Sequence, residues 1–270
     1  MALMLHSGAE SATREQVMSA YAGKATATYQ PIPHGHLIDL VENMIPNVIP
    51  GARIESAEYA LQNGKYKDGD EIVEVNAAEC FALLEIAWEN EGDRNKTWSL
   101  NIAVRNSNSK KFKIAIAIGS RIFICDNLAF SGQFKWEHKH TKNVLNGLKF
   151  AAFEQLSQVE KLHEKMDSRF KRLVDCELSM VEAKSLLVDA VSTHAIDASE
   201  MVQVLNHYEH PAHKAFEDRN AYSLYNAFTS MWSGGAFVAK KGGQLRGSGI
   251  DNIFDAHLLH RNDNGPIVVN

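Results

Sequence analysis

Three cysteines in 270 residues are too few and too scattered to build a disulfide framework. Cys80, Cys125 and Cys176 are odd in number, and no C-x-x-C pair offers a zinc or thiol-redox motif. Reduced, mostly buried thiols are expected. No run of about 18 apolar residues is present, so no membrane-spanning helix is expected. The first residues, MALMLHSGAESATREQ, lack a basic region, a long apolar core and a cleavage signal, which points to the cytoplasm rather than secretion. Several catalytic spellings are missing too: no G-x-x-x-x-G-K-[ST], no G-x-S-x-G and no H-E-x-x-H. A phosphate-binding loop of the Walker type, a hydrolase elbow and a zincin site are therefore excluded, and no cofactor is expected. No internal repeat is found.

What is present suits a soluble globular chain. At 45% hydrophobic and 23% charged, it can bury a sizeable core. The net charge of −5 hides an asymmetry. Acidic residues dominate from Pro31 to Leu100, and basic ones from Asn101 to Asp175. A basic middle either faces phosphates or pairs with the acidic half as solvated surface.

Residues 1–30 read as an N-terminal arm, 31–232 as a single α+β domain with a helical second half, and 233–270 as a basic glycine-rich loop with a C-terminal helix and tail. Pro31 and Pro33 impose an extended entry. His34 to Met44 then carries a helical stripe of Leu37, Leu40, Val41 and Met44. One of His34 and His36 is expected to cap that helix or bond backbone. Strands follow from Arg53, with Asn63-Gly64 a hairpin turn signal, and continue through Trp98–Val104. The fold class is thus α+β: an antiparallel sheet over about 53–140, then a long helix and a helical C-terminal half.

The stretch Arg105–His140 organises the chain. Phe112, Ile114, Ile116 and Ile118 alternate with smaller or charged residues, which is strand period. Gly119-Ser120 permits a turn into a second strand, Arg121–Cys125. Asn106, Ser107, Asn108 and Ser109 supply the turn before the first. The strand ends would gather Arg105, Asn106, Arg121, Asp126 and Asn127 on one rim of the sheet. That rim either terminates strands or forms a polar binding or catalytic edge. Gln133 to His140 reads as one more strand, with His138 and His140 on one face. With Lys110, Lys111, Lys135, Lys139 and Lys142 nearby, the pair could contact phosphate, act as acid and base, or sit idle at the surface. Trp136 is suited to stacking a base if exposed.

From Asn143 to Asp175 the apolar residues recur at helical spacing, about 45 Å if the helix is continuous. Ser179-Met-Val-Glu182 is a capping box. His207, His210 and His213 look like metal ligands, but Pro211 interrupts their spacing, and no metal is expected. Ala212 to Trp232 is an aromatic helix in which Arg219, Asn220, Asn226 and Thr229 need partners if buried, the Arg121/Asn127 rim among them.

Three segments carry a resemblance. RNSNSKKFKIAIAIGSRIFICDNLAFSG with the following KHTKN, YQPIPHGHLIDLVE at Tyr29–Glu42, and NAYSLYNAFT at Asn220–Thr229 resemble, in order, the phage- and plasmid-associated family catalogued as domain of unknown function 932. Family members commonly carry an Asn-Ser-His-Asp-type turn. Here it reads Asn106-Ser107-Asn108-Ser109, so any role of that His and Asp is lost. The resemblance implies a mobile-element context and names no activity. Joined to the basic middle and to the sheet-then-helix order, it leads to an expected function: a DNA-metabolism accessory protein. It would bind single-stranded nucleic acid through Arg105, Lys110, Lys111, Arg121, Lys135, Trp136, His138, Lys139, His140 and Lys142, and anneal strands as a homo-oligomer. Two rivals remain: an enzyme using Arg105, Arg121, Asn127, His138 and His140, and a factor that binds a phage or host protein.

Overall fold

The computed structural model describes residues 9–68, 71–88, 98–122, 134–142, 144–212, 214–231 and 243–264. The chain is α+β, with a six-stranded antiparallel sheet followed by a helical C-terminal half. It divides into two compact units, Met1–Ser120 with Gly132–Leu162, and Arg121–Ser131 with His163–Asn270.

The first unit is built on the sheet. Its strands are β1 (Glu10–Ala12), β2 (Ala52–Asp68), β3 (Glu71–Trp88), β4 (Trp98–Ser107), β5 (Ile114–Ile122) and β6 (Phe134–His138). They lie side by side in sequence order. Helices α1 (Arg14–Ser19) and α2 (His34–Val48) fall between β1 and β2, and α3 (Val144–Leu156) follows β6. Leu37, Ile38, Val41 and Ile45 of α2 are buried, as are Leu84, Ile102, Val104, Ile114, Ile116 and Ile118 of the sheet and Leu148 and Ala152 of α3. Each such aliphatic side chain contributes about 2 kcal/mol by leaving water.

Two expected turns are absent. Asn63-Gly64 lies inside β2, which pairs with β3 as far as Asp68↔Glu71. The register shifts between Gln62 and Gly64, so residues 76–78 of β3 bulge there. The glycine answers crowding instead of a hairpin: a Cβ at Gly64 would lie 2.7 Å from Glu79 Oε1 and 2.9 Å from the Cβ atoms of Ala78 and Ser109. Gly119-Ser120 likewise lies within β5, where Gly119 is buried and the alternation of Ile114, Ile116 and Ile118 carries the extended chain onward.

The long helical pattern is divided. α3 ends at Leu156 and α4 spans Val159–Asp175. At the break the Ser157 hydroxyl donates to Glu154 O (2.9 Å) and Gln158 N–H to Gln155 O (3.2 Å), local bonds that replace the regular ladder.

In the second unit, α4 from His163 onward is followed by α5 (Met180–Ser192), α6 (Met201–Glu209), α7 (Ala221–Met231) and α8 (Gly243–Asn264). The capping box at Ser179 forms as expected. Burial alone would raise the Glu182 carboxyl, but hydrogen bonds from Ser179 and Arg261 outweigh it and hold the group at about 2. Arg169 bonds Asp251 (2.9 Å) and Asp255 (2.7 Å), tying α4 to α8. Residues 243–247, expected as part of the basic glycine-rich loop, are instead the start of α8. Gly249 permits close packing there, since a Cβ would stand 3.0 Å from that of Ala195.

Candidate functional site

The polar residues around Asn106 form a closed knot in the first unit. At the bulge, Ala77 adopts a left-handed φ of 50° and its N–H donates to Asn63 Oδ1 at 2.8 Å. That strained turn aims the Ala77 carbonyl toward α2. His34, in the first turn of α2, donates through Nε2 to this carbonyl at 2.9 Å. Its Nδ1 is then the bare nitrogen, and it accepts from Asn106 Nδ2 at 2.8 Å. The other Nδ2 hydrogen reaches Ile32 O at 2.8 Å. Asn106 Oδ1 accepts from His140 Nε2 at 2.7 Å. One amide thus joins two imidazoles and a proline-segment carbonyl, using both its N–H groups and its oxygen.

The surroundings are bonded as well, although Asn108 Oδ1 and Glu79 Oε2 are buried without a hydrogen-bond partner among the described residues. Asn108 donates to Ile32 O (3.1 Å) through its side chain and to Ala78 O (2.7 Å) through its backbone. Tyr29 OH donates to Asn108 O (3.2 Å), its ring lies 5.6 Å from that of His140, and Gln30 N–H donates to His140 O (3.1 Å). The Ser109 hydroxyl donates to the buried Glu79 carboxylate. Lys110, at φ 66°, lies 4.8 Å over the ring of Tyr29 and 4.7 Å over that of Tyr66. His34 and Asn106 are buried, and His140 is 6% exposed. Burial pushes both imidazoles down to about 4, and for His140 the neighbouring His34 and His138 add to the effect. At neutral pH both rings are uncharged. The knot is therefore a neutral clasp between the Tyr29–His34 segment, the bulge and the end of β6. A phosphate would meet no charge and no open donor at His140.

The expected same-face histidine pair does not form. β6 ends at His138, and Thr141 N–H bonds Lys139 O at 2.8 Å as the chain turns. His140 swings into the interior, while His138 stays exposed and stacks on Trp136, rings 5.8 Å apart and 15° from parallel. His36 is exposed, away from the buried His34.

The basic candidates separate as well. Arg105 bonds Glu137 at 2.6 Å and lies over Phe112 at 4.9 Å, and Lys113 is 3.8 Å from the same carboxylate. Lys110 is held by its two tyrosines. Lys111, Lys139 and Lys142 are exposed. The side chains of Arg121 and Lys135, and all of Asp126 and Asn127, lie outside the described residues. In the second unit, Arg219 donates to the Tyr208 (2.5 Å) and Glu209 (3.3 Å) carbonyls, Asn220 Oδ1 accepts from Ser223 N–H (2.8 Å), and Asn226 donates to Tyr222 O (2.8 Å). These polar groups find local partners on and beside α7.

Among the described residues, the outward groups at the β6 end are the exposed His138 stacked on the partly buried Trp136 of the edge strand, and Lys139 and Lys142 just beyond it; Lys110, Lys111 and Lys113 are exposed between β4 and β5. Reading by residue type missed two further groups. Tyr29 and Glu79 belong to the knot but look ordinary in sequence. Phe150 and Phe153 are solvent-facing aromatics that stand off the apolar stripe of α3, and that displacement was the available signal.

Among the described residues, no three His, Cys, Asp or Glu side chains are grouped to hold a metal ion, and no helix is long and apolar enough to cross a membrane. No protein-family model, curated protein or solved structure matches the chain.

Proposed function

We propose that this protein binds single-stranded nucleic acid at the β6 end of its sheet. The observation that carries the reading is the Trp136–His138 stack on an edge strand, with the exposed Lys139 and Lys142 directly following. A partly buried indole stacked on an exposed imidazole provides a flat platform for an unpaired base, and such stacking contributes about 1–3 kcal/mol per base. The lysines supply mobile positive charge for the phosphates. Bases in a duplex are already stacked and unavailable to such a platform. We extend the proposal to a cytoplasmic role in mobile-element DNA metabolism, with strand annealing by an oligomer as its furthest reach.

The contact is narrower than the basic middle of the sequence suggests. Arg105 is paired with Glu137 and His140 is buried, so these two add little to the binding of phosphate, while Lys110 and Lys113 stay exposed. With a net charge of −5, affinity rests on a few contacts and falls with salt. Fluorescence anisotropy with a labelled single strand and its duplex tests the reading. Preferential single-strand binding that Trp136→Ala weakens is the expected result. Absence of binding to either form at low salt would refute it.

A further inference from the structure

We infer that Phe150 and Phe153 of α3 form a second base-stacking platform, so that the strand tracks from β6 along this helix; the inference rests on the single-strand reading above. The two phenyl rings are anomalous. They are 70% and 52% exposed, and three residues apart they occupy one helical face. Helix α3 does not need them for packing: Val144, Leu148, Ala151, Ala152 and Leu156 already form its buried side. Scattered exposed apolar residues are ordinary, but two adjacent phenyl rings on one solvent-facing turn are a patch with a use.

The occupant follows from what surrounds the patch. α3 is in contact with β6, the strand that carries the Trp136–His138 stack. The link between the two elements holds Lys139 and Lys142, and Lys149 directly precedes Phe150, all three exposed. Glu154, also exposed, is the opposing charge on the helix, and Glu137 on the strand is already engaged by Arg105 and Lys113. Exposed lysines interleaved with aromatic rings on two touching elements complement a flexible polyanion with free π-faces. A single strand has that chemistry. Phenyl rings are sequence-tolerant platforms, so the track should accept any base and should require a strand long enough to reach both elements.

The test compares wild-type protein, Trp136→Ala, the double variant Phe150→Ala/Phe153→Ala and the double variant Phe150→Leu/Phe153→Leu. Each is titrated against labelled oligothymidylates of increasing length, with light scattering on the same samples. The leucine pair keeps apolar area and removes the aromatic face. Exposed surface positions should leave the thermal midpoint nearly unchanged. Both double variants should bind a long strand about tenfold more weakly or worse, and should lose the gain in affinity that wild type shows between short and long strands. If wild type binds, Trp136→Ala weakens it and the phenylalanine variants bind as wild type does, the second platform is wrong while the single-strand reading stands. If those variants fall from oligomer to monomer and bind unchanged per chain, the patch is a contact between copies and the inference is overturned. If wild type binds no strand, the single-strand reading fails and this inference with it.

Discussion

His138 and His140 are two residues apart and have opposite fates. His138 lies on the surface, stacked on Trp136. His140 is buried, neutral and bonded to Asn106. The sequence pattern treats them as equivalents, because both fit one face of a strand. The strand ends between them, and burial then does the sorting. A group whose bonds are all used inside the protein has little left to offer a ligand. A stacked ring with exposed lysines beside it has much. Function is better sought at the sparser, outward end of the stretch than at its densest polar cluster.

The comparison can be broken most forcefully at Asn106. Asn106→Ala leaves His34 Nδ1 and His140 Nε2 without this partner, while Ile32 O keeps its bond from Asn108, and each buried orphan costs about 1–3 kcal/mol. A loss of about 4 kcal/mol in chemical denaturation is expected, and a loss below about 1 kcal/mol would mean that the clasp is dispensable.

Acid probes the same knot. The imidazoles of His34 and His140 are held at about 4, against an ordinary 6.5. Between these values the unfolded chain takes up protons that the folded protein refuses. Stability is therefore full above about pH 6.5, falls as pH drops, and the histidine contribution is spent below about pH 4. Each imidazole should account for about 3 kcal/mol at most, read as a falling unfolding midpoint from pH 7 to pH 4. A flat profile over that range would show that neither ring is held neutral by the fold.

Gly64→Ala drives a methyl group toward Glu79 and Ser109 and should cost about 2 kcal/mol, measured by thermal unfolding. A neutral outcome would mean that the bulge yields easily. At the outward end the expected effects are smaller and fall on binding. Lys139→Ala and Lys142→Ala should each weaken single-strand affinity by less than about 1 kcal/mol and reduce the salt slope by about 1. Unchanged slopes would remove these lysines from the phosphate path.

Much of the architecture was legible beforehand. Period-2 alternation announced the sheet, the capping box announced α5, and the order of strands before helices announced α+β. The errors share a cause. Asn63-Gly64 and Gly119-Ser120 were read as turns because glycine favours turns, yet one answers a close approach of Glu79 and Ser109 and the other sits buried in a strand. Tertiary crowding leaves the same residue type in the sequence as a turn does. The site was less legible. Asn106 was singled out, but its two histidine partners come from residues 34 and 140, distant in the chain and joined only by the fold. Arg105 and Lys110 counted as free charge in the sequence because the partners that hold them, Glu137, Tyr29 and Tyr66, declare themselves only in three dimensions.

The most direct test of the outward end is single-strand affinity across a salt series, measured by anisotropy for wild type and Trp136→Ala with a labelled strand of about 15 nucleotides. The account predicts binding by wild type that weakens with salt, and about tenfold weaker binding by Trp136→Ala at every salt concentration with an unchanged slope, since a stacking contact is lost and no phosphate contact is. Equal affinity of the two proteins, or no binding by wild type at low salt, would contradict it.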